Sequence, residues 1–172
     1  MRRLLLLRHA KAEPGAAEQE DHDRTLTERG VADAAAMARY LRKQGYIPSR
    51  ILCSTSLRTV QTVEPVLKLA PAPVDYLAAI YLAPPGRLMA LAQDAADADT
   101  VLMLVGHNPG LEQCAVLLAR EPVKPREQHR LDVLEEKFPT AALAVLDFDI
   151  ARWKQLAPGT GRLVDFARPK DI

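Results

Sequence analysis

Aromatic residues make up only 5% of this 172-residue chain, so its core must be built from aliphatic side chains, chiefly Leu, Val and Ala. A chain of this length can bury a real core within one domain, and residues 1–172 read as a single domain. Neither sign of charge dominates. Lys and Arg total 23 against 22 Asp and Glu, a formal net charge of +1, which removes the usual electrostatic footprint of a nucleic-acid binder. The expected partner is small or locally anionic. Only two cysteines occur, Cys53 and Cys114, each in an apolar stretch; this argues against a disulfide framework and for buried, reduced thiols. Long hydrophobic runs are also missing. Met1-Arg2-Arg3 and four leucines imitate the opening of a signal peptide, but the run stops at Arg8, short of the ~7–15 apolar residues of an h-region. A cytoplasmic protein without a membrane segment is expected. No His-x-x-x-His or Cys-x-x-Cys spacing appears, so neither a metal nor an organic cofactor is expected.

What is present is an alternation of strand and helix patterns. Leu4–Leu7 and Val101–Val105 are continuous apolar runs of the kind buried in parallel sheets, and Ile51–Cys53 is a shorter one. Thr25-x-x-Glu28 has the form of a capping box before apolar positions at helical spacing that end at Gly45, which predicts a helix over about residues 28–44. Residues 57–69 read as a helix kinked or restarted at Pro65, and Pro85 suits the first turn of another. Leu111–Ala119 reads as a short helix, Pro122–Lys137 as a charged surface excursion that includes a helix, and Ala141–Phe148 as a strand. The Pro158-Gly159-Thr160-Gly161 cluster predicts a closing hairpin between a run around Trp153–Leu156 and Arg162–Phe166. Together these give a three-layer α/β fold with a mainly parallel sheet, helices on both faces and an antiparallel edge.

Ligands of open α/β sheets bind beyond the carboxyl ends of the strands. Three such ends carry chemistry: Arg8-His9 after the first strand, Ser54 leading to Arg58 after the second, and Gly106-His107-Asn108-Pro109-Gly110 after the third. Attack on phosphorus by histidine needs a neutral imidazole in line with the leaving group and cationic donors around the equatorial oxygens. His9 fits the first role; Arg8, Arg58 and His107 fit the second. A phosphoryl dianion would favour protonated His107 while His9 stays neutral, so the two rings would need environments that separate their pKa values. A hydrogen bond from one ring nitrogen of His9 to a backbone carbonyl would fix its tautomer.

Four stretches, in order, carry a family resemblance. Leu7-Arg8-His9-Ala10-Lys11 resembles the Arg-His signature of the histidine phosphatase superfamily, which includes the cofactor-dependent phosphoglycerate mutases. Asp23–Gly30 resembles its Arg-Pro-Leu-Thr-x-x-Gly element, Ser54–Thr62 its Ser-Pro-x-x-Arg-Ala-x-Gln-Thr element, and Val105–Pro109 its second-histidine element. The short length and the Arg-His-Ala-Lys variant are most similar to SixA-type phosphohistidine phosphatases. The resemblance implies a phosphoglycerate mutase-like fold, His9 as phosphorylated nucleophile and Arg8, Arg58 and His107 as the phosphate pocket. Arg24 either reaches the substrate or forms a surface ion pair, and Asn108 either donates to the phosphate or caps the turn before Pro109.

One departure narrows the chemistry. Many members carry a glutamate that protonates the leaving group; the matching position here is Leu82, in Ile80-Tyr81-Leu82. Without that acid an alkyl ester would leave as an alkoxide, whereas the imidazole leaving from phosphohistidine can already carry a proton. The loss points toward P–N substrates or activated esters; the resemblance implies phosphohistidine on a protein as the substrate, with a small phosphorylated molecule as the alternative, and Asp23 and Asp75 are the substitute acids to consider. Ala10 stands where glycine is commoner, which requires a backbone without positive φ there. Competing schemes fit less well. Cys53 and Arg58 are separated by four residues instead of the five of cysteine-dependent phosphatases, and Gly106–Gly110 lacks the Lys-Ser/Thr of a P-loop. A phosphate-binding module without turnover would not need His9, and a mutase needs a cap over its site. Oligomeric state is not legible.

Overall fold

Period-two geometry sends alternate residues of a strand to opposite faces of its sheet, and the central strands are apolar on both. The computed structural model describes residues 1–172. In chain order the strands are β1 (Arg2–Arg8), β2 (Arg50–Ser54), β3 (Val74–Leu77), β4 (Val101–Gly106), β5 (Leu143–Phe148) and β6 (Arg162–Ala167). The helices are α1 (Glu28–Gln44), α2 (Leu57–Leu69), α3 (Pro85–Gln93), α4 (Gly110–Leu118) and α5 (Pro125–Glu136). They form one six-stranded sheet in the order β3-β2-β4-β1-β5-β6. β1 runs parallel to β4, with Leu5 opposite Met103, and antiparallel to β5, with Leu5 opposite Val145.

Leu4, Leu6, Leu102 and Leu104 face one core with Leu88 and Ala92 of α3, Leu111 and Leu118 of α4 and Leu134 of α5. Leu5, Leu7, Met103 and Val105 face the other with Met37 and Leu41 of α1 and Val63 and Val66 of α2. The three-layer α/β reading therefore holds. Leu4 to Leu7 are at most 1% exposed, so truncating any of them to alanine costs roughly 2–5 kcal/mol. Cys53 lies in one core and Cys114 in the other, both unbridged, and burial pushes each thiol up to about 12. No helix is long and apolar enough to cross a membrane.

Several elements differ from the sequence-based expectation. The cap of α1 is Thr27, whose hydroxyl accepts from Gly30 N at 2.9 Å, two residues beyond the anticipated Thr25. α2 does not restart at Pro65 but continues through it; the missing N–H costs one ladder bond, and Val63 and Val66 on either side lie in the core. β3 is a strand that the half-buried pattern of Val74–Leu77 did not announce. The anticipated hairpin is absent: β6 pairs antiparallel with β5. Trp153–Gln155 is a 3-10 turn, held because Gln155 Oε1 accepts from the backbone N–H groups of Ala151 and Arg152 at 3.0 and 2.9 Å. Trp153, fully buried, points its indole N–H at Asp99 O.

Candidate active site

β1, β2 and β4 are parallel and end at the same edge of the sheet. His9 extends the β1–β4 ladder, its N–H donating to Gly106 O at 3.1 Å, while its carbonyl accepts from Ala141 N at 3.0 Å. The His9 Nδ1–H donates to Ala10 O at 2.7 Å; this assignment leaves Nε2 with a free lone pair. Ala10 is not among the positive-φ residues, so alanine is tolerated there. Its N–H donates to Thr62 Oγ1 at 2.9 Å, tying the loop after β1 to α2. The same loop is pressed from the other side by α1: a Cβ on Gly30 would lie 2.1 Å from Lys11 O, so only glycine permits that approach.

His107 is held differently. Arg58 Nη2 lies 3.3 Å from its Nδ1 and Ser54 Oγ 2.8 Å from its Nε2. A guanidinium can only donate, so Nδ1 accepts and Nε2–H donates to Ser54. The His9 and His107 ring centroids are 5.3 Å apart. Arg8 donates to Phe138 O at 2.9 Å and Arg58 to Asp21 O at 2.8 Å. The only buried side-chain nitrogens or oxygens in the protein without a hydrogen-bond partner are Arg8 Nε and Arg58 Nε.

His9, His107, Arg8, Arg58, Arg24 and Asn108 all border one cavity of about 420 Å³. Two of them are otherwise engaged. Asn108 gives its amide hydrogens to Glu112 Oε2 and Phe138 O at 3.1 and 3.0 Å and takes the Glu112 N–H on Oδ1. It sits one residue before the Pro109 cap of α4 and braces the first turn, with no amide hydrogen left for a substrate. Arg24 donates to Glu13 O and to Asp21 Oδ1, at 2.7 and 2.9 Å, and so borders the cavity while holding Asp21. The substitute acids lie elsewhere: Asp75 pairs with Arg50, and exposed Asp23 sits beside His22. His22 is half-buried, with Nε2 2.8 Å from Thr55 Oγ1 and its ring against Tyr81.

Sequence reasoning missed Asp21 and Tyr81. Asp21 Oδ2 accepts from Arg58 Nη2 at 3.1 Å and from the Tyr81 hydroxyl. Tyr81 meets His107 edge-on at 5.3 Å between centroids. Asp21 sits among Glu18, Glu20 and Asp23, and nothing local distinguishes it. Its spacing of three from Arg24 was the only available signal. Leu82 stands at the mouth with φ 51 and 56% exposure.

Burial, and then the positive charges of Arg58, Arg8 and Arg24, lower His9 to about 4. Burial, His9 and Arg58 lower His107 to about 3. The free site therefore keeps both rings neutral, where separated values were expected; a bound dianion would supply the separation by favouring a proton, taken from solvent, on His107 Nδ1. Tyr81, Arg24 and Arg58 hold the Asp21 carboxyl far below the usual carboxylate range, so it carries no proton to give. Burial, with a smaller contribution from Arg58, pushes Arg8 below its ordinary value against the opposing pull of Glu112. No three His, Cys, Asp or Glu side chains are grouped as a metal site requires.

This geometry agrees with the comparisons to known proteins. The sequence profile of the histidine phosphatase superfamily (branch 1) matches residues 4–81. The SixA protein of Agrobacterium tumefaciens, assigned as a phosphohistidine phosphatase, is 33% identical and superposes with a TM-score of 0.81 over 98% of each chain. The chain belongs to the histidine phosphatase superfamily. A second SixA protein, from Nakamurella multipartitia, is 29% identical with a TM-score of 0.82, covering 98% of this chain and 96% of that one. An uncharacterized protein of Mycobacterium tuberculosis is 34% identical over 165 residues, 95% of this chain and all of its own. As a member of that superfamily the protein is a histidine-nucleophile phosphatase with a phosphoglycerate mutase-like fold. The matched stretch contains His9 and Arg58 but stops before His107, which only the fold brings to the cavity.

Proposed function

We propose that the protein removes the phosphoryl group from phosphohistidine on a protein, with His9 as nucleophile and Arg8, Arg58 and His107 as the phosphate pocket. The observation that carries this reading is a neutral His9 with Nε2 free, beside two arginines whose buried Nε–H groups have no partner, in a cavity without a protonated acid. The Nε2 lone pair attacks phosphorus and the P–N bond to the substrate imidazole breaks, the proton already on that imidazole leaving with it. Water then attacks the phosphoenzyme, releasing inorganic phosphate and restoring His9. Arg8 and Arg58 neutralise the equatorial oxygens, and His107, protonated on Nδ1 as the dianion arrives, turns from acceptor to donor. Incoming phosphate replaces the Asp21 carboxylate on Arg58. Arg24 acts through Asp21, and Asn108 through the start of α4.

The absence of an acid favours P–N substrates over alkyl esters: Leu82 cannot donate a proton, and Asp21 is ionised at any working pH. The two buried thiols favour a reducing, cytoplasmic setting, and the shared sheet favours one domain over residues 1–172. The test is phosphate release from a phosphohistidine-bearing protein and from alkyl phosphomonoesters, with wild type and His9→Ala side by side and a chelator present. Selective P–N cleavage that vanishes in the variant is expected. Efficient ester hydrolysis would make a small phosphometabolite the substrate and sink the reading.

A further inference from the structure

A second cavity, of about 400 Å³, adjoins the first and shares Lys11 and Thr140 with it. Arg29 comes to it from the first turn of α1, and Arg168 and Lys170 from the segment after β6. No aliphatic or aromatic side chain other than proline lines this trough, and its one carboxylate is Asp33. Arg29 lies 3.7 Å from Asp33, and Arg168 forks Asp171 through Nε and Nη2 at 2.7 and 3.2 Å. Lys11 and Lys170 have no ion-pair partner. In a chain whose net charge is only +1, this is a segregated basic surface leading away from the phosphate pocket.

We propose that the trough docks carboxylates that flank the phosphohistidine on the protein substrate. This rests on the function proposed above and specifies its substrate: an acidic face around the modified histidine. The chemistry of the walls favours carboxylates on a facing protein over a second phosphate of a small molecule. Phosphate recognition favours guanidinium forks converging in a buried pocket, as Arg8 and Arg58 do; in the trough Arg168 holds Asp171 through two bonds and Arg29 lies beside Asp33. The unpaired cations are lysines, hydrated point charges on flexible stems, which meet carboxylates at a solvated interface without fixed geometry.

The test uses three phosphohistidine peptides of equal length, flanked by Glu, Ala or Lys, together with free phosphohistidine. The enzymes are wild type, Lys170→Glu, and Arg29→Glu combined with Lys170→Glu; neither residue borders the phosphate cavity. Wild type should rank the peptides Glu above Ala above Lys, the preference shrinking in high salt. The double variant should lose about tenfold in kcat/KM on the Glu peptide, mainly through KM, and gain on the Lys peptide, with free phosphohistidine unchanged. Lys170→Glu alone, which disturbs no ion pair, should show the same trend at smaller size. Wild-type cleavage indifferent to flanking charge would overturn the trough and leave the proposed function standing, as would an equal loss on free phosphohistidine. Failure of wild type to cleave any phosphohistidine substrate while hydrolysing esters would overturn both.

Discussion

His9 and His107 occupy equivalent places, each one residue past a parallel strand, yet they are fixed by different means. Main-chain bonds hold His9: its N–H, its carbonyl and its ring Nδ1 all bind backbone atoms. Side chains hold the His107 ring, Ser54 on one nitrogen and Arg58 on the other. His9, the proposed nucleophile, thus depends only on the fold, while the His107 ring depends on Ser54 and on Arg58, which the proposed phosphate site also uses. A group that attacks must be aimed beforehand, whereas a group that changes from acceptor to donor needs partners that can yield.

Removing either end of this contrast gives the largest effects. His9→Ala should abolish covalent phosphorylation and lower turnover by roughly 10⁴-fold or more, read by acid-labile labelling; surviving label would move the nucleophile elsewhere. Arg58→Ala should lower kcat/KM about 10²-fold while the enzyme still labels slowly. Ser54→Ala should cost about tenfold, with altered His107 ring signals in NMR and unaltered His9 signals, and Ser54→Thr should recover part of the loss. Equal disturbance of both rings would erase the distinction between them.

The pH dependence is subtler. With folded values of about 4 and 3 against about 6.5 in the unfolded chain, both rings take up protons on unfolding below neutrality. Their neutral burial therefore costs no stability above about pH 6.5, and stability falls as pH drops from there toward the folded values. Thermal melts should decline from pH 7 to 5, and the decline should shrink in a His9→Ala, His107→Ala double variant; ring titration near pH 6.5 in the free enzyme would contradict the lowered values. The smallest effect belongs to Asp21→Asn, which should tighten inorganic phosphate binding a few-fold by weakening the carboxylate's competition for Arg58.

The elements legible in sequence were those whose signals are local. Leu4–Leu7 and Leu102–Val105 are buried on both faces and read as such, and the stop at Gly45 and the first-turn place of Pro85 hold because they depend on neighbours alone. Residues 153–155 misled because a fully buried tryptophan between polar residues looks like a strand, while a glutamine side chain closes a turn there. The pocket residues were legible because each sits at a strand end or in the first turn of a helix. Asp21 and Tyr81 were not, since their hydrogen bond joins loops sixty residues apart, and no periodicity encodes a contact of that kind.

The place of β1 has a consequence for how the protein is made. The strand that leads to His9 precedes both of its neighbours, residues 101–106 and 143–148, by at least ninety residues. Synthesis therefore delivers Arg8 and His9 early and leaves their strand unpaired until most of the chain has emerged. Pairings of such sequence separation are slow to form, and a bare Leu-rich strand is exposed to misassociation meanwhile. Catalytic competence should then appear abruptly, once β5 closes the far side of β1, so that a nascent chain cannot act on its substrate before the strand leading to His9 is paired on both sides.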